Sequence, residues 1–307
     1  MIRGSPPDRV RAVARASDLG INYFDTAPMY GNGQSETNLG SALRETKSHA
    51  YIGTKVFLSE SETDGAKKAI VGSLKSSLRR LRRNHVDIFY LHNPIARQRD
   101  LSTGTLSVED VLGSVAETFG ELKREGLTRF AGFTAVGETE ALHEVIGSRK
   151  FDVAQMVLNL LNPSAGHSVS RRFYAQDYRG LIDKAVVAGM GVVAIRVLAG
   201  GALSQTEMRH PIATSSVEPM GSGSTYEEDV LRSKAFEFLV REGHAKNLPE
   251  AAIRFAMSKK EVSTILVGYS DIGQLEESVS SASMGPLAPK TLERLKTVWK
   301  EFGGDSH

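Results

Sequence analysis

The sequence predicts an α/β fold built around a parallel sheet, and two observations point to it. Short runs of β-branched or aromatic residues alternate with longer amphipathic stretches along the whole chain, the pattern expected when each strand is followed by a helix. Several of these runs are almost continuously apolar, which is typical of parallel strands buried on both faces. No linker divides the 307 residues, so we expect a single domain over residues 1–307.

Seven segments have the composition and length of strands. They are Ile21–Phe24, Tyr51–Thr54, Val86–Leu91, Arg129–Phe133, Val153–Leu158, Val192–Val197 and Thr264–Val267. Helical patterns lie between them. One begins near Pro6 and ends at Gly20, and a second has its apolar face within Lys67–Arg83. A third begins at the capping pair Ser107 and Asp110.

The composition argues against a nucleic-acid-binding, cysteine-dependent, secreted or membrane-spanning protein. The chain carries 38 basic and 36 acidic residues, a balance that gives no reason to expect a nucleic-acid partner. It has no cysteine, so disulfides, thiol catalysis and cysteine-ligated zinc are excluded. Residues 1–8 contain no apolar secretory core, and no apolar run reaches the roughly 18 residues of a membrane helix. We therefore expect a soluble, cytoplasmic protein without a membrane partner.

Two polar segments have two interpretations each. The Gly/Ser-rich tract Ser204–Glu228 is long enough for a lid over a binding site or for a disordered loop. The basic run Arg79–Arg83 has the composition of a nucleic-acid patch, but it lies at a helix C-terminus, where cations complement the helix dipole. A solvated helix end is the better interpretation of that run.

Polar residues directly follow three successive predicted strands. Asp25, Lys55 and His92 come after the first, second and third strand, and Tyr30 lies in the same loop as Asp25. The carboxyl ends of parallel strands open onto one face of the fold, where active sites are built. Each residue alone has a structural explanation, such as a turn cap or an exposed loop position. Their joint placement favours a catalytic site.

These four side chains suit the protonation of an oxygen atom. A tyrosine with its ordinary pKa near 10 is a weak acid at neutral pH, and a lysine beside it would stabilise the phenolate form. Asp25 would keep Lys55 charged, and His92 would orient a carbonyl group or relay a proton. No side chain supplies a hydride, so the reduction of a carbonyl here requires a cofactor.

At these residues the sequence resembles the aldo-keto reductase superfamily over nearly its whole length. The resemblance is carried by Gly20–Gly31 with Gly33, Glu36, Leu39 and Gly40, by Thr54–Lys55, and by Val86–His92. It implies a (β/α)8 TIM barrel with Asp25, Tyr30, Lys55 and His92 as the catalytic tetrad. It also implies hydride transfer between a nicotinamide and a small aldehyde, ketone or sugar, with Tyr30 as the general acid or base.

The resemblance also assigns cofactor positions. They are Thr134, Gln155, Arg196, Leu198, Gly200, Gly268, Ser270, Gln274, Glu277 and Ser278. Gln155 sits where the family binds the nicotinamide carboxamide, and Leu198–Gly201 resembles the family's pyrophosphate loop. NADP(H), the family default, is favoured, and NAD(H) is possible because Gly268 and Gln274 replace the Lys and Arg that clamp a 2′-phosphate. A plain strand-to-helix turn capped by Ser270-Asp271 is the alternative for the last segment.

The sequence departs from the family pattern at three further places. Thr134-Ala135 replaces Ser-Asn, and Ile195-Arg196 replaces an aromatic-Ser pair, which makes Arg196 a candidate phosphate partner. The usual N-terminal hairpin and first barrel strand are missing before Pro6. We expect a barrel that lacks these elements and favour a truncated or misassigned start over a gap filled by another element or subunit.

These departures motivate a second hypothesis, a non-catalytic nucleotide-binding or regulatory subunit on the same barrel. A metal-dependent hydrolase is disfavoured because the histidines are scattered and show no ligand spacing. We therefore expect no metal site.

Overall fold

The computed structural model describes residues 4–204, 210–211 and 225–302, and the chain forms two compact units. The first unit comprises Met1–Gln155 with Ala188–Met190, and the second comprises Met156–Val187 with Gly191–His307. Most of the predicted lid in Ser204–Glu228 lies outside the described residues. The expected single domain over residues 1–307 stays a prediction.

The first unit alternates helices and strands. Its helices are α1 (Pro6–Asp18), α2 (Gln34–Thr46), α3 (Ala66–Leu81), α4 (Val108–Asp110), α5 (Ala116–Arg124) and α6 (Thr139–Gly147). Its strands are β1 (Tyr23–Asp25), β2 (Tyr51–Val56), β3 (Val86–Leu91), β4 (Ile95–Ala96), β5 (Leu106–Ser107), β6 (Thr128–Thr134) and the first residues of β7 (Val153–Val157). β1, β2, β3, β6 and β7 pair in that order, all in parallel, while β4 pairs only with β5.

Helix α1 begins where the sequence predicts. The Ser5 side chain accepts a hydrogen bond from the Asp8 backbone, and the Asp8 carboxylate accepts one from the Ser5 backbone, so two of the otherwise unpaired N–H groups are satisfied. The same reciprocal cap between Ser107 and Asp110 begins α4. No hairpin or strand precedes α1 in the part of the chain that the structure describes.

The second unit holds the remaining strands. Its helices are α7 (Leu181–Val187), α8 (Tyr226–Ser233), α9 (Phe238–Arg241), α10 (Leu248–Met257), α11 (Ile272–Ser283) and α12 (Pro289–Glu301). The end of β7 is followed in the sheet by β8 (Gly191–Ile195) and then by β9 (Thr264–Ile265), which pairs with β8 in parallel. All seven predicted strands are present. The short pair β4 and β5 was not predicted because two residues show no periodicity.

Two glycines make room for two tyrosines inside the first unit. A Cβ atom on Gly53 would lie 2.2 Å from the Tyr23 hydroxyl oxygen, and one on Gly132 would lie 2.5 Å from the Tyr90 ring. In the sheet, Gly132 is the register partner of Tyr90, and Gly53 is the partner of Asp25. A side chain larger than hydrogen at either position would displace a tyrosine, so these glycines shape the layer below the strand ends.

His167 lies in the aromatic core of the second unit. Its ring is 5.3 Å from the Phe255 ring and 5.4 Å from the Trp299 ring, between centroids. Its buried Nε2 has no hydrogen-bond partner among the described residues. Burial, and secondly the positive charge of Lys259, lowers the pKa of His167 to about 4. The imidazole is therefore packed in its neutral form.

Gly53→Ala is expected to destabilise the first unit by roughly 1–3 kcal/mol, because the added methyl group overlaps the Tyr23 hydroxyl. The matched control is Gly72→Ala on the exposed face of α3, where a Cβ would meet nothing within 4 Å. A helical Gly→Ala change at an open site is expected to be neutral or stabilising by about 0.5–1 kcal/mol. Urea unfolding followed by circular dichroism measures both. Equal free energies of unfolding for the two variants would show that Gly53 is not needed to make room for Tyr23.

Acidification is expected to destabilise the second unit through His167. The unfolded chain binds this proton near the ordinary pKa of 6.5, whereas the folded chain binds it only near 4. The contribution of neutral His167 to the free energy of unfolding is therefore complete above pH 6.5. It is lost as the pH drops towards 4, by about 3 kcal/mol. Urea titrations read by the fluorescence of Trp299, the single tryptophan, should show a smaller loss in His167→Leu. The control His49→Leu, at an exposed position, should keep the wild-type slope.

Candidate active site

Lys55 and Asp25 form a buried ion pair at the carboxyl ends of β2 and β1. The side chain of Lys55 is 1% exposed and that of Asp25 is 12% exposed. The Lys55 ammonium donates to Asp25 Oδ2 and, over 2.9 Å, to the Thr26 carbonyl oxygen. A buried ammonium group is tolerated only when it is paired and hydrogen-bonded. Each charge of this pair therefore holds the other in place.

Tyr30 lies in the turn that follows β1, and its ring contacts the ammonium group of this pair. Gly31, Asn32 and Gly33 have left-handed backbone conformations, with φ of 65°, 49° and 84°, and they lead the chain into α2. Lys55 Nζ lies 4.9 Å from the centroid of the Tyr30 ring, within the range of a cation–π contact. The structure thus brings three members of the predicted tetrad together.

A second buried ion pair holds the loop of Tyr30. Glu36, on α2, is fully buried and accepts from Arg80 Nε and from the Thr54 hydroxyl, each over 2.6 Å. The Arg80 side chain crosses Gly33, where a Cβ would lie only 2.6 Å away. The predicted solvated helix end is therefore wrong for Arg80, because a buried carboxylate needs its charge.

The other carboxylate oxygen of Asp25 receives two further donors. Gln155 Nε2 donates to Oδ1 over 2.7 Å, and the Tyr23 hydroxyl donates to it over 3.4 Å. The Tyr23 and Tyr90 hydroxyl oxygens are 3.0 Å apart, and Tyr90 also hydrogen-bonds Gln155. Burial is the main cause that raises the pKa of both tyrosines, and the charge of Asp25 acts in the same direction. Both phenols therefore remain protonated donors.

His92, the fourth member of the tetrad, is linked to Asp25 through two buried side chains. His92 Nδ1 lies 2.9 Å from the Thr134 hydroxyl oxygen, and Thr134 donates to Gln155 Oε1 over 3.2 Å. Thr134 and Gln155 are each 2% exposed and are register partners on β6 and β7. A continuous hydrogen-bond chain therefore joins His92 to the ion pair.

Sequence reasoning missed Tyr23, Tyr90, Gly53 and Gly132. Each of them lies two positions before a residue that the sequence assigns to the site. Residues i and i+2 share one face of a strand, so this spacing places all four in the layer next to the site. Two-residue periodicity is the signal that identifies them.

Thr134 and Gln155 lie with the tetrad in the first unit, and the other eight predicted cofactor residues lie in the second unit. Three of those eight belong to the loop after β8. Arg196, Ala199, Gly200 and Gly201 have left-handed conformations there, with φ from 48° to 107°. Gly201 N donates to the Leu198 carbonyl over 2.9 Å. Ala199 N likewise donates to the Arg196 carbonyl over 2.8 Å, so both N–H groups are bonded within the turn.

The segment between β9 and α11 is a capped turn. Asp271 Oδ1 accepts from the backbone N–H of Gln274 over 2.8 Å and so caps α11. The Gln274 side chain in turn accepts from the backbone N–H of Ser270 over 2.8 Å. The structural alternative predicted for this turn is therefore present, with Asp271 as the cap.

The remaining positions of this segment carry no cation. Gly268 is exposed, and a Cβ there would meet nothing within 4 Å. Ser278 donates to the Gln274 carbonyl over 2.7 Å, and Glu277 is exposed, 4.0 Å from Lys246. Neither Gly268 nor Gln274 can pair with a 2′-phosphate through a positive charge.

The described ranges contain neither a metal-binding cluster nor a membrane-spanning helix. No three His, Asp or Glu side chains there lie close enough together to hold a metal ion. No described helix is long and apolar enough to cross a membrane. The expected cytoplasmic location stays a prediction.

Comparison with known proteins identifies the family. A family model described as "Aldo/keto reductase family" matches residues 3–300. The chain is 28% identical to the L-galactose dehydrogenase of Arabidopsis thaliana over 90% of this chain and 78% of that protein. It is 25% identical to a probable voltage-gated potassium channel subunit beta of the same plant, over 92% of this chain and 84% of that protein.

A solved structure shows the fold. The holo form of an aldo-keto reductase from Bacillus halodurans is similar with a TM-score of 0.72 and 22% identity, over 97% of this chain and 89% of that one. The predicted fold class, a (β/α)8 barrel without the N-terminal hairpin and first strand in the described residues, is confirmed. The chain belongs to the aldo/keto reductase family, and so to a family of oxidoreductases.

Proposed function

We propose that this oxidoreductase transfers a hydride between a nicotinamide cofactor and the carbonyl carbon of a small aldehyde, ketone or sugar. The observation that carries the proposal is the position of Lys55, which is buried, bonded to Asp25 and in contact with the Tyr30 ring. The likeness to an L-galactose dehydrogenase supports a sugar among the substrates.

Tyr30 is the proton donor for reduction and the acceptor for oxidation. As its proton leaves, negative charge develops on the phenol oxygen, and the ammonium group of Lys55 stabilises that charge. Asp25 does not touch the substrate in this scheme. It holds Lys55 charged and directed at the ring, and it prevents the ammonium group from turning away.

His92 holds the oxygen of the substrate in line with Tyr30. It directly follows β3, and its backbone N–H donates to the Val56 carbonyl on β2 over 2.8 Å. This bond fixes the position of the His92 backbone. A positioned hydrogen bond of this kind orients the reacting group and adds to the catalysis that Tyr30 supplies.

The predicted cofactor residues of each unit, taken separately, suit one part of a dinucleotide. In the second unit, Arg196 lies just before the left-handed turn at Ala199–Gly201 and offers a positive charge for a pyrophosphate. Gln155 Oε1 keeps one lone pair beyond its bond to Thr134 for the nicotinamide carboxamide. When bound, the nicotinamide supplies or accepts the hydride. NADP(H) is the favoured cofactor, and NAD(H) is accepted because no cation stands at Gly268 or Gln274.

A non-catalytic regulatory subunit is the second candidate. The likeness to a probable potassium channel subunit beta favours it. The network around Asp25, Lys55, Tyr30 and His92 favours the enzyme, because a nucleotide-binding subunit needs no buried ammonium group beside a tyrosine.

Tyr30→Phe is expected to lower kcat by roughly 10²–10⁴-fold, the usual contribution of a general acid or base, with cofactor binding unchanged. The assay follows absorbance of the reduced cofactor with a panel of aldehydes and sugars, and cofactor affinity is measured by fluorescence titration. Tyr51→Phe, at an exposed position on β2, is the matched control. Full activity of Tyr30→Phe would disprove the proton-donor role. Tight cofactor binding without turnover by the wild type would favour the regulatory subunit.

Gly268→Lys is expected to increase preference for NADPH. A charged hydrogen bond to the 2′-phosphate contributes about 1.5–3 kcal/mol, so the ratio of kcat/KM for NADPH to that for NADH should rise roughly 10- to 100-fold. Gly72→Lys, on the exposed face of α3, adds the same charge elsewhere and should leave the ratio unchanged. An unchanged ratio in Gly268→Lys would show that this residue does not face the adenosine ribose.

A further inference from the structure

We propose that Arg80 is a positioning residue for the reaction, because its charge on Glu36 holds the Tyr30 loop against the strand that carries Lys55. The Tyr30 loop comprises residues 26–33, between β1 and α2. Arg80 lies on α3 and acts on this loop through Glu36 on α2. The consequence for turnover rests on the proposed function, whereas the consequence for the position of Tyr30 follows from the contacts of the loop.

The start of the Tyr30 loop is anchored on β2. The backbone N–H of Thr26 donates to the Gly53 carbonyl over 2.9 Å. The Thr26 carbonyl accepts from Lys55 Nζ, also over 2.9 Å. Both partners of Thr26 belong to β2, so the neighbouring strand sets where the loop begins.

The end of the loop is anchored on the same strand through Glu36. The backbone N–H of Ser35 donates to the Tyr30 carbonyl over 3.1 Å, so the first turn of α2 holds the Tyr30 backbone. The next residue, Glu36, accepts from the Thr54 hydroxyl over 2.6 Å, and Thr54 directly precedes Lys55 on β2. Glu36 and Thr54 are both fully buried. This second connection joins Tyr30 to the strand of Lys55 independently of the contact between the ring and the ammonium group.

Arg80 makes the second connection possible. A buried carboxylate that loses its partner charge is strongly unfavourable, and Arg80 Nε donates to the second carboxylate oxygen of Glu36 over 2.6 Å. Without this charge, we expect the start of α2 to shift until Glu36 reaches water. The Tyr30 backbone would move with it, away from Lys55.

The Arg80 side chain also lies directly on the loop. A Cβ atom on Gly33 would lie 2.6 Å from Arg80 Cδ and 2.7 Å from Arg80 Nε. Gly33 has a left-handed φ of 84°, and its N–H donates to the Pro28 carbonyl within the loop over 2.6 Å. The Arg80 side chain is 29% exposed, so it reaches water on one side. Truncating it should therefore open a space beside Gly33 and Glu36 that a small cation can enter.

Rescue by the guanidinium ion tests the role of this charge. Arg80→Ala should lower kcat by about 10²-fold, the effect of displacing a reacting group by about 1 Å, with cofactor affinity unchanged. Millimolar guanidinium chloride should restore most of the lost kcat, whereas sodium chloride at the same ionic strength should not. Arg79→Ala, at the exposed neighbouring position, should keep the wild-type kcat and show no response. An Arg80→Ala variant with wild-type kcat, or one that guanidinium does not improve, would overturn the proposal.

A double variant tests whether Arg80 acts through Glu36. Arg80→Met leaves the carboxylate buried without its partner, and adding Glu36→Gln removes that carboxylate while keeping an oxygen that accepts from Thr54. The double variant is therefore expected to recover part of the kcat that Arg80→Met loses. A double variant as impaired as Arg80→Met would show that the charge of Glu36 is not the reason for the loss.

Carbon NMR of protein labelled with ¹³C-tyrosine tests the position of Tyr30 without turnover. Among the eight tyrosines, the signals of Tyr30 are those that disappear in Tyr30→Phe. They should move in Arg80→Ala, return towards the wild-type shift with guanidinium, and stay in place in Arg79→Ala. A loss of stability alone would leave the signals of the folded molecules unmoved, so unmoved signals in Arg80→Ala would overturn the proposal. A wild type without turnover would refute the proposed function and leave this measurement valid.

Discussion

The site depends on one buried charge, the carboxylate of Asp25. Removing a carboxylate from water is unfavourable unless other donors replace the water. Here the donors come from three strands, namely Tyr23 on β1, Lys55 on β2 and Gln155 on β7. The hydrogen bonds to Asp25 therefore hold the Lys55 ammonium group against the ring of Tyr30. They also hold the amide nitrogen of Gln155 towards Asp25. The arrangement of these side chains is a consequence of neutralising this anion.

The strand register makes that neutralisation possible. Parallel pairing places Asp25 beside Gly53 and Thr134 beside Gln155, so functional side chains from distant parts of the sequence share one layer. The side chains one layer further from the strand ends would overlap if Gly53 and Gly132 carried Cβ atoms. Gly53 and Gly132 leave the space that the Tyr23 and Tyr90 rings fill, so the polar layer is supported by aromatic rings whose hydroxyl groups are themselves donors.

The sequence predicted the strands well and placed Asp25, Lys55 and His92 at their ends, because apolar runs and the residues after them are local signals. It did not predict the partners of these residues. The bond from Gln155 to Asp25 spans 130 positions and depends on the register of four strand pairs. Arg80 was misjudged for the same reason, since a basic run does not reveal that a buried Glu36 lies opposite. Left-handed turns at non-glycine residues such as Arg196 also leave no composition signal.

Thr134-Ala135, which replaces the family's Ser-Asn pair, keeps one hydroxyl group in the hydrogen-bond chain between His92 and Gln155. Ala135 is buried and has no hydrogen-bonding side chain, whereas the Thr134 hydroxyl oxygen lies 2.9 Å from His92 Nδ1. One anion thus acts on both ends of the site, on Tyr30 through Lys55 and on His92 through Thr134. Neutralising Asp25 should disturb both groups together, whereas a change at Thr134 should disturb His92 alone.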